Sequence, residues 1–179
     1  YKNVLDDYSF VSLHEEMKSG WSLNNSSEIG GSLSFGKWEE HSLLLFHAAT
    51  VVKYRIMKDL RTPIQLCKIH LNGQVCGQIS EIHTDFLIEK VWTFVLFMHP
   101  NWNIQWGGEF MCFNPDTQKY IYTPCIPNSG VLIPSNWDHV GHSPNTPFAP
   151  MRMSVAFSYA ADESIPVVKE KHPELRIFF

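Results

Sequence analysis

Residues 79–98 read ISEIHTDFLIEKVWTFVLFM, and this stretch decides the fold that the sequence predicts. It contains two short apolar or alternating runs, Ile79 to His83 and Trp92 to Met98, with a polar and charged interval between them. Short runs of this kind, rich in β-branched and aromatic residues, are typical of β-strands. We therefore predict one strand in each run.

The same pattern extends over the rest of the chain after Pro63. Turn signals such as Asn72-Gly73, Gly107-Gly108 and Pro144-Asn145 separate the runs. Many short strands at a spacing of roughly 8–12 residues are typical of a β-sandwich or barrel. The further predicted strands are Ile64 to Leu71, Phe110 to Asn114, Lys119 to Thr123, Gly130 to Pro134 and Met153 to Tyr159.

The sequence before Pro63 has a helical pattern instead. Asp6 or Asp7 can cap a first helix, in which apolar residues recur at helical spacing until Gly20. Residues 37–60 form a second stretch with one apolar face, which predicts a helix packed on a sheet. Residues 24–36 are rich in Ser, Asn and Gly and predict a loop or an edge hairpin.

Together these elements predict one mainly β domain over residues 1–179. Residues 1–62 form a helical support, and residues 63–160 form a jelly-roll core of the cupin-like type. Residues 161–179 form a poorly fixed tail, of which residues 177–179 could dock on the surface.

The composition excludes some classes of protein. The chain has 179 residues, of which 44% are hydrophobic and 18% charged, as is typical of one globular domain. Its net charge of −4 gives no general attraction for nucleic acid, and its apolar runs are too short to span a bilayer. The four cysteines form no CxxC pair, so we expect reduced thiols and a cytoplasmic protein.

A candidate metal site begins at His83-Thr84-Asp85, an H-x-D triplet at the end of a predicted strand. Side chains two residues apart on a strand point to the same face, so this imidazole and carboxylate can converge. His139 follows an apolar strand and can supply a third ligand. Two His and one carboxylate with open positions are the arrangement of non-haem Fe(II) oxygenases. The alternative is a capping Asp beside a surface His.

A candidate anion site lies on the last predicted strand. Arg152 and Ser154 share the face opposite to the apolar members of that strand. A buried Arg needs an anionic partner, and a dicarboxylate such as 2-oxoglutarate can bind it bidentately with help from the Ser hydroxyl. The alternative is an Arg paired with a protein carboxylate on the surface.

An ordered series of motifs runs from Gln65 to Tyr159. It consists of NGQ at 72–74, IHTD at 82–85, NWNIQWGGEF at 101–110, GVLIPSNWDH at 130–139 and RMS at 152–154. The series resembles the Fe(II)/2-oxoglutarate-dependent dioxygenases of the prolyl 4-hydroxylase-like superfamily, in particular small single-domain members from marine microbes and viruses. This resemblance implies a double-stranded β-helix fold with N-terminal supporting helices.

The resemblance also implies residue roles and a reaction. His83, Asp85 and His139 would hold Fe(II), and Arg152 and Ser154 would bind the distal carboxylate of 2-oxoglutarate. Oxidative decarboxylation of 2-oxoglutarate with O2, giving succinate and CO2, would be coupled to hydroxylation of a substrate C–H bond. Ascorbate is a further candidate cofactor. The leading substrate is a peptidyl proline, and a free amino acid or another small metabolite is the alternative.

Four details of the motifs refine this prediction. Related sequences place the distal ligand four residues after the position of Ser135, so the resemblance implies His139 rather than His142. Relatives often place a Tyr that helps to hold the co-substrate on the strand after H-x-D. The only hydroxyl on that strand here is Thr93, so the helper is Thr93 or Gln74, or is absent. Members of the family that halogenate have a small residue at the position of Asp85, so the resemblance implies hydroxylation. A second Arg that is usual in nucleic-acid demethylases is replaced by Ser158.

Two other classes of protein stay open at this point. One is a non-oxygenase, metal-dependent cupin such as an isomerase or hydrolase, which usually offers three or four His and Glu ligands. The other is a binding domain that has the barrel fold but binds no metal. If the protein is an oxygenase, we expect the loops at residues 24–36 and 86–90 to surround the mouth of the barrel and to determine substrate specificity.

Overall fold

The computed structural model describes residues 1–21, 34–35 and 42–178 of the chain. Its α-helices are α1 (Asp7–Met17), α2 (Leu43–Leu60) and α3 (Ile165–Lys171), and two single turns of 3-10 helix span Ile104–Trp106 and Asp162–Ser164. Its strands are β1 (Ser34–Phe35), β2 (Ile64–Gln74), β3 (Val91–Phe97), β4 (Phe110–Asn114), β5 (Lys119–Thr123), β6 (Gly130–Pro134), β7 (His139–Gly141) and β8 (Arg152–Ala161).

The strands form two antiparallel sheets with a cavity between them. The major sheet has the order β1-β2-β8-β3-β6, and the minor sheet has the order β5-β4-β7. From β3 onward, the chain crosses from the major sheet to the minor sheet and back twice, as in a jelly roll. The predicted mainly β architecture with N-terminal helices is confirmed.

The helices cover the outer face of the major sheet. Asp6 caps α1 by accepting from the Ser9 N–H at 2.9 Å, and Ser42 caps α2 by accepting from the Leu45 N–H at 3.1 Å. Arg61 ends α2 in the left-handed conformation. The apolar faces of both helices pack on apolar residues of β2, β3 and β8 in one cluster, which includes Leu13, Ile56, Leu66, Phe94, Val155 and Phe157.

One buried hydrogen bond ties this layer to the sheet. The hydroxyl of Tyr159 on β8 donates to the carbonyl oxygen of Ala49 on α2 at 2.7 Å, and the side chain of Tyr159 is 0% exposed. A buried hydroxyl must find a partner, so this bond fixes how α2 lies on the sheet.

The structure corrects several boundaries. Residues 79–82 do not form the predicted strand, and only His83 is bridged, to His139. The apolar side chains of Ile79 and Ile82 are exposed, so no burial favours an extended ladder there. Asn72-Gly73 is not a turn, because β2 continues to Gln74 by pairing with β8.

The predicted loop and the start of the second helix lie largely outside the described residues. Of residues 24–36, only 34–35 are described, and they form β1 as an edge strand beside β2. Helix α2 is described from Leu43, so residues 37–41 of the predicted helix lie outside.

The prediction of a poorly fixed tail is wrong. Residues 165–171 form α3, and Val168 is completely buried against Phe86 and Ile88 in a third apolar cluster. The Phe178 N–H donates to the Leu66 carbonyl at 2.9 Å, so the chain end docks beside β2. Apolar burial therefore overrides the charged and proline-containing sequence of this segment.

Two further observations concern the described part of the chain. All four cysteines are free thiols there, in agreement with the prediction of reduced cysteines. Among the described helices, none combines the length and the hydropathy that crossing a bilayer requires.

Replacing Tyr159 by Phe tests the link between α2 and the sheet. Loss of the buried hydroxyl leaves the packing in place but removes one hydrogen bond, so we expect the free energy of unfolding to fall by about 1 kcal/mol. Urea unfolding measures it. Tyr122→Phe on the exposed strand β5 is the matched control and should change stability by less than about 0.5 kcal/mol. Equal effects of the two substitutions would contradict this account.

Candidate metal and co-substrate site

The cavity between the sheets has a volume of about 440 Å³. Its walls come from β2, β3 and β8 of the major sheet, from β4 and β7 of the minor sheet, and from the segment at residues 79–85. Such a cavity is within the size range of small-molecule sites. The mouth lies on the side of residues 81 and 83, which are exposed, whereas Arg152 at the other end is 1% exposed.

His83, Asp85 and His139 come together at one wall of the cavity. One ligand atom from each lies within 4.8 Å of the other two. The backbones of His83 and His139 exchange two hydrogen bonds of 3.0 and 2.9 Å, which join the H-x-D segment to β7. Two His and one carboxylate on one side leave room for further ligands on the other.

The second nitrogen of each imidazole is held by the backbone. Nδ1 of His83 lies 3.0 Å from the Glu81 carbonyl, and Nδ1 of His139 lies 2.9 Å from the Trp137 carbonyl. An Nδ1–H that donates to a carbonyl leaves Nε2 without a proton, which is the form that binds a metal. For His139, Nε2 lies 3.6 Å from Oδ2 of Asp85, so it faces the carboxylate.

The carboxylate of Asp85 is held from the major sheet. The Thr93 hydroxyl donates to Oδ2 of Asp85 at 2.6 Å and lies 2.9 Å from the hydroxyl of Ser135. Both Thr93 and Ser135 are buried, so this bond fixes the carboxylate without exposing it to water. Thr93, predicted to help hold the co-substrate, is therefore bonded to the proposed metal ligand Asp85.

Burial controls the protonation of two histidines in the cavity, His139 in the cluster and His70 on the wall formed by β2. Burial lowers the pKa of His139, and the nearby Asp85 carboxylate opposes part of that effect. Burial also lowers the pKa of His70 on β2 to about 4, with Lys68 adding to the shift. Both imidazoles are thus favoured in the neutral form near pH 7.

Arg152 lies at the deep end of the cavity. Its Nε donates to the Gly108 carbonyl at 2.6 Å, and its Nη1 donates to Gln74 Oε1 at 3.0 Å and to Ser154 Oγ at 3.3 Å. Its Nη2 is buried and has no hydrogen-bond partner, although the Cys125 thiol lies nearby. In the described part of the chain, no carboxylate lies within ion-pair distance of this guanidinium, which excludes the surface ion pair considered above.

A buried cation without an ion-pair partner is costly, and burial lowers the pKa of Arg152, although the Cys125 thiol and the Glu109 carboxylate oppose part of that effect. An anion at Nη2 would remove that cost and complete a charge-assisted pair. The residues present therefore fit the distal carboxylate of a dicarboxylic acid.

Two glycines make space around the guanidinium. A Cβ on Gly108 would lie 3.0 Å from Cδ of Arg152, and a Cβ on Gly141 would lie 3.3 Å from Nη1 and 3.4 Å from Nη2. Gly141 follows His139 by two positions on β7, a rise of about 7 Å. A five-carbon dicarboxylate has the length to reach from the His139 end of the cavity to Arg152.

The other predicted site residues are placed as follows. Gln74 bonds the guanidinium through Oε1 and the Gly141 carbonyl through Nε2, at 2.8 Å, so it orients Arg152. His142 is outside the cluster, and its Nε2 is buried without a partner. Phe86 and Ile88 pack under α3 and do not line the cavity, so the predicted mouth loop at 86–90 is wrong.

Sequence reasoning missed three cavity residues on β2. Lys68, His70 and Asn72 line the cavity together with Gln74. The signal was the alternation of these polar residues with apolar Ile69 and Leu71, which pack toward the helices. Period-two alternation marks a strand with one polar face, and here that face is the interior of the barrel.

Comparison with known proteins gives the class of the fold. No protein-family model matches the sequence, and no curated protein is significantly similar to it. Among solved structures, the chain is similar to the non-haem α-ketoglutarate-dependent epimerase SnoN from nogalamycin biosynthesis, with a TM-score of 0.67 and 14% identity over 89% of this chain and 76% of SnoN.

Two prolyl hydroxylases are also similar. One comes from Trichoplax adhaerens, in complex with a hypoxia inducible factor peptide, with a TM-score of 0.64 and 17% identity over 93% of this chain and 84% of that one. The other, a prolyl-4-hydroxylase from Pseudomonas putida, has a TM-score of 0.66 and 15% identity over 90% of both chains. The chain thus has the double-stranded β-helix fold of 2-oxoglutarate-dependent enzymes, which confirms at the level of the fold the resemblance seen in the sequence.

The lowered pKa of His70 predicts a specific pH dependence of stability. The unfolded chain protonates His70 at a higher pH than the folded chain does. The contribution of His70 to the free energy of unfolding is therefore fully present above about pH 6.5 and is lost as the pH drops toward 4. Between pH 7 and about pH 4.5, we expect the free energy of unfolding of His70→Gln to fall by about 2 kcal/mol less than that of the wild type. Urea unfolding of metal-free protein in EDTA measures this difference. Parallel pH profiles of the two proteins would refute the assignment.

Proposed function

We propose that this protein is an Fe(II)- and 2-oxoglutarate-dependent dioxygenase that hydroxylates a substrate C–H bond. The observation that carries the proposal is the buried Arg152 guanidinium, with one unpartnered nitrogen, in the same cavity as His83, Asp85 and His139. In a non-oxygenase cupin this buried guanidinium would have no function. In a metal-free binding domain the three converging ligands would have none.

Each residue has a distinct role in this proposal. His83, Asp85 and His139 hold the metal, and the Thr93 hydroxyl keeps the Asp85 carboxylate in position. Arg152 binds the distal carboxylate of 2-oxoglutarate with Ser154, while Gln74 orients the guanidinium. The burial of this end of the cavity keeps water away from the ion pair, which strengthens it.

The iron, when bound, supplies the activation of O2. The balanced reaction converts R–H, 2-oxoglutarate and O2 into R–OH, succinate and CO2. Ascorbate, as an added reductant, would keep the iron in the ferrous state. The free thiols favour a reducing compartment such as the cytoplasm.

The resemblance in the sequence favours a peptidyl proline as substrate. The structural similarity to two prolyl hydroxylases supports this choice, and the similarity to an epimerase shows that the same fold serves other reactions. Free amino acids and other small metabolites are the alternative substrates.

Substitution of Arg152 tests the proposal. Arg152→Lys keeps the charge but loses the planar fork, so we expect 2-oxoglutarate to bind at least tenfold more weakly, a loss of about 1.4 kcal/mol or more. Gly141→Ala keeps Arg152 and places a methyl group against it, so it should weaken binding as well. Calorimetric titration of the Zn(II)-loaded protein measures binding, and succinate release by the Fe(II) protein measures turnover.

The control in this experiment is the metal affinity, which should be unchanged in both variants. Unchanged 2-oxoglutarate affinity in Arg152→Lys would overturn the assignment of the co-substrate site. Absence of 2-oxoglutarate binding and succinate release in the wild type would overturn the proposed function as a whole.

A further inference from the structure

Strand β2 places a cationic side chain in the cavity, and the proposed reaction gives this cation no role. Lys68 is half-buried and lines the cavity, and so do the polar residues that follow it at alternate positions, His70 and Asn72. Gln74, at the end of the same polar face, bonds to Arg152. Lys68 therefore lies at the opposite end of this wall from the proposed co-substrate site.

The strand register places Lys68 at the level of the proposed metal site. Lys68 pairs with Ser158 on β8, and Ser158 pairs with Thr93 on β3, so the three residues form one row across the sheet. Two strand spacings separate Lys68 from Thr93, about 10 Å between backbones. The Thr93 hydroxyl is bonded to Asp85, so a lysine side chain that extends over the cavity covers much of the distance to the metal ligands.

The surroundings of Lys68 leave its charge available. In the described part of the chain, no carboxylate lies within ion-pair distance of its ammonium group. The adjacent His70 is favoured in the neutral form, and the Ser158 hydroxyl is a polar neighbour in the same row. A lysine that is half-buried as a residue, lines a cavity and has no counter-ion favours an anionic ligand there.

We infer that Lys68 binds a carboxylate of the substrate, so that the substrate is a small carboxylic acid, most simply a free amino acid. This inference rests on the proposed function and selects among its substrates. A proline inside a peptide has neutral amides on both sides and offers no charge to Lys68. The carbon to be hydroxylated then lies a few bonds from the carboxylate, in the space between Lys68 and the metal ligands.

The rim of the cavity fits the second charge of an amino acid. Glu81 lines the cavity beside its mouth and is exposed, and its backbone carbonyl faces the ring of His83. Apart from Asp85 and Arg152, the full charges among the described lining residues are Lys68 and Glu81. One cation and one anion suit a zwitterion better than a neutral peptide.

Matched acids and amides test the inference. The protein is loaded with Zn(II) and 2-oxoglutarate, so that the Arg152 site is filled and no turnover occurs, and ligands are added in a calorimeter. The ligands are the free L-amino acids with their amides, N-acetyl-L-proline with its uncharged analogue N-acetyl-L-prolinamide, and a short peptide with an internal proline. We expect at least one acid to bind, and to bind at least tenfold more tightly than its amide.

Variants assign the preference to Lys68. Lys68→Gln should remove the preference for the acid, and Lys68→Arg should keep most of it. Lys119→Gln on the exposed strand β5 is the control and should behave as the wild type. All variants should bind Zn(II) and 2-oxoglutarate normally, which shows that they are folded.

Three results would overturn the inference while leaving the proposed function intact. They are an amide or an internal-proline peptide that binds as tightly as the acid, a Lys68→Gln protein that keeps the preference, and failure of every acid in the set to bind. The proposed function itself fails in a different way, by the absence of 2-oxoglutarate binding in the wild type.

Discussion

The site depends on one pair of backbone hydrogen bonds, between His83 and His139. His83 belongs to a segment that forms no strand, and His139 begins β7 of the minor sheet. The two bonds bring the side chains of both residues and of Asp85 to one wall of the cavity. Without this bridge, two residues distant in sequence would not present their imidazoles to the same point, and the three ligand atoms would not converge.

The second constraint is the charge buried at the other end of the cavity. Arg152 is fixed by Gln74, Ser154 and the Gly108 carbonyl, which use most of its donors but leave Nη2 free. Because each of these partners is neutral, the positive charge itself is uncompensated within hydrogen-bond distance. An anionic ligand at Nη2 would offset this cost.

The sequence predicted the strand that carries Arg152 from its alternation, because period-two geometry is local. It also predicted that His83 and Asp85 converge, but for the wrong reason, since the segment before His83 forms no strand and only His83 is bridged, to His139. The role of Thr93 could not be predicted, since its bond to Asp85 depends on how two segments pack. Lys68 was missed because a lysine on a strand is read as solvent-facing, whereas the closed barrel turns that face inward. The tail was mispredicted because the burial of Val168 depends on distant residues.

The central claim is that His83, Asp85 and His139 form one metal site, and metal titration tests it most directly. Anaerobic Fe(II) should bind the wild type with one ion per chain, and His142→Ala should bind as the wild type does. His139→Ala should weaken binding by at least tenfold while the protein stays folded by circular dichroism. Equal Fe(II) affinities of the wild type and His139→Ala, or loss of binding in His142→Ala instead, would contradict the account.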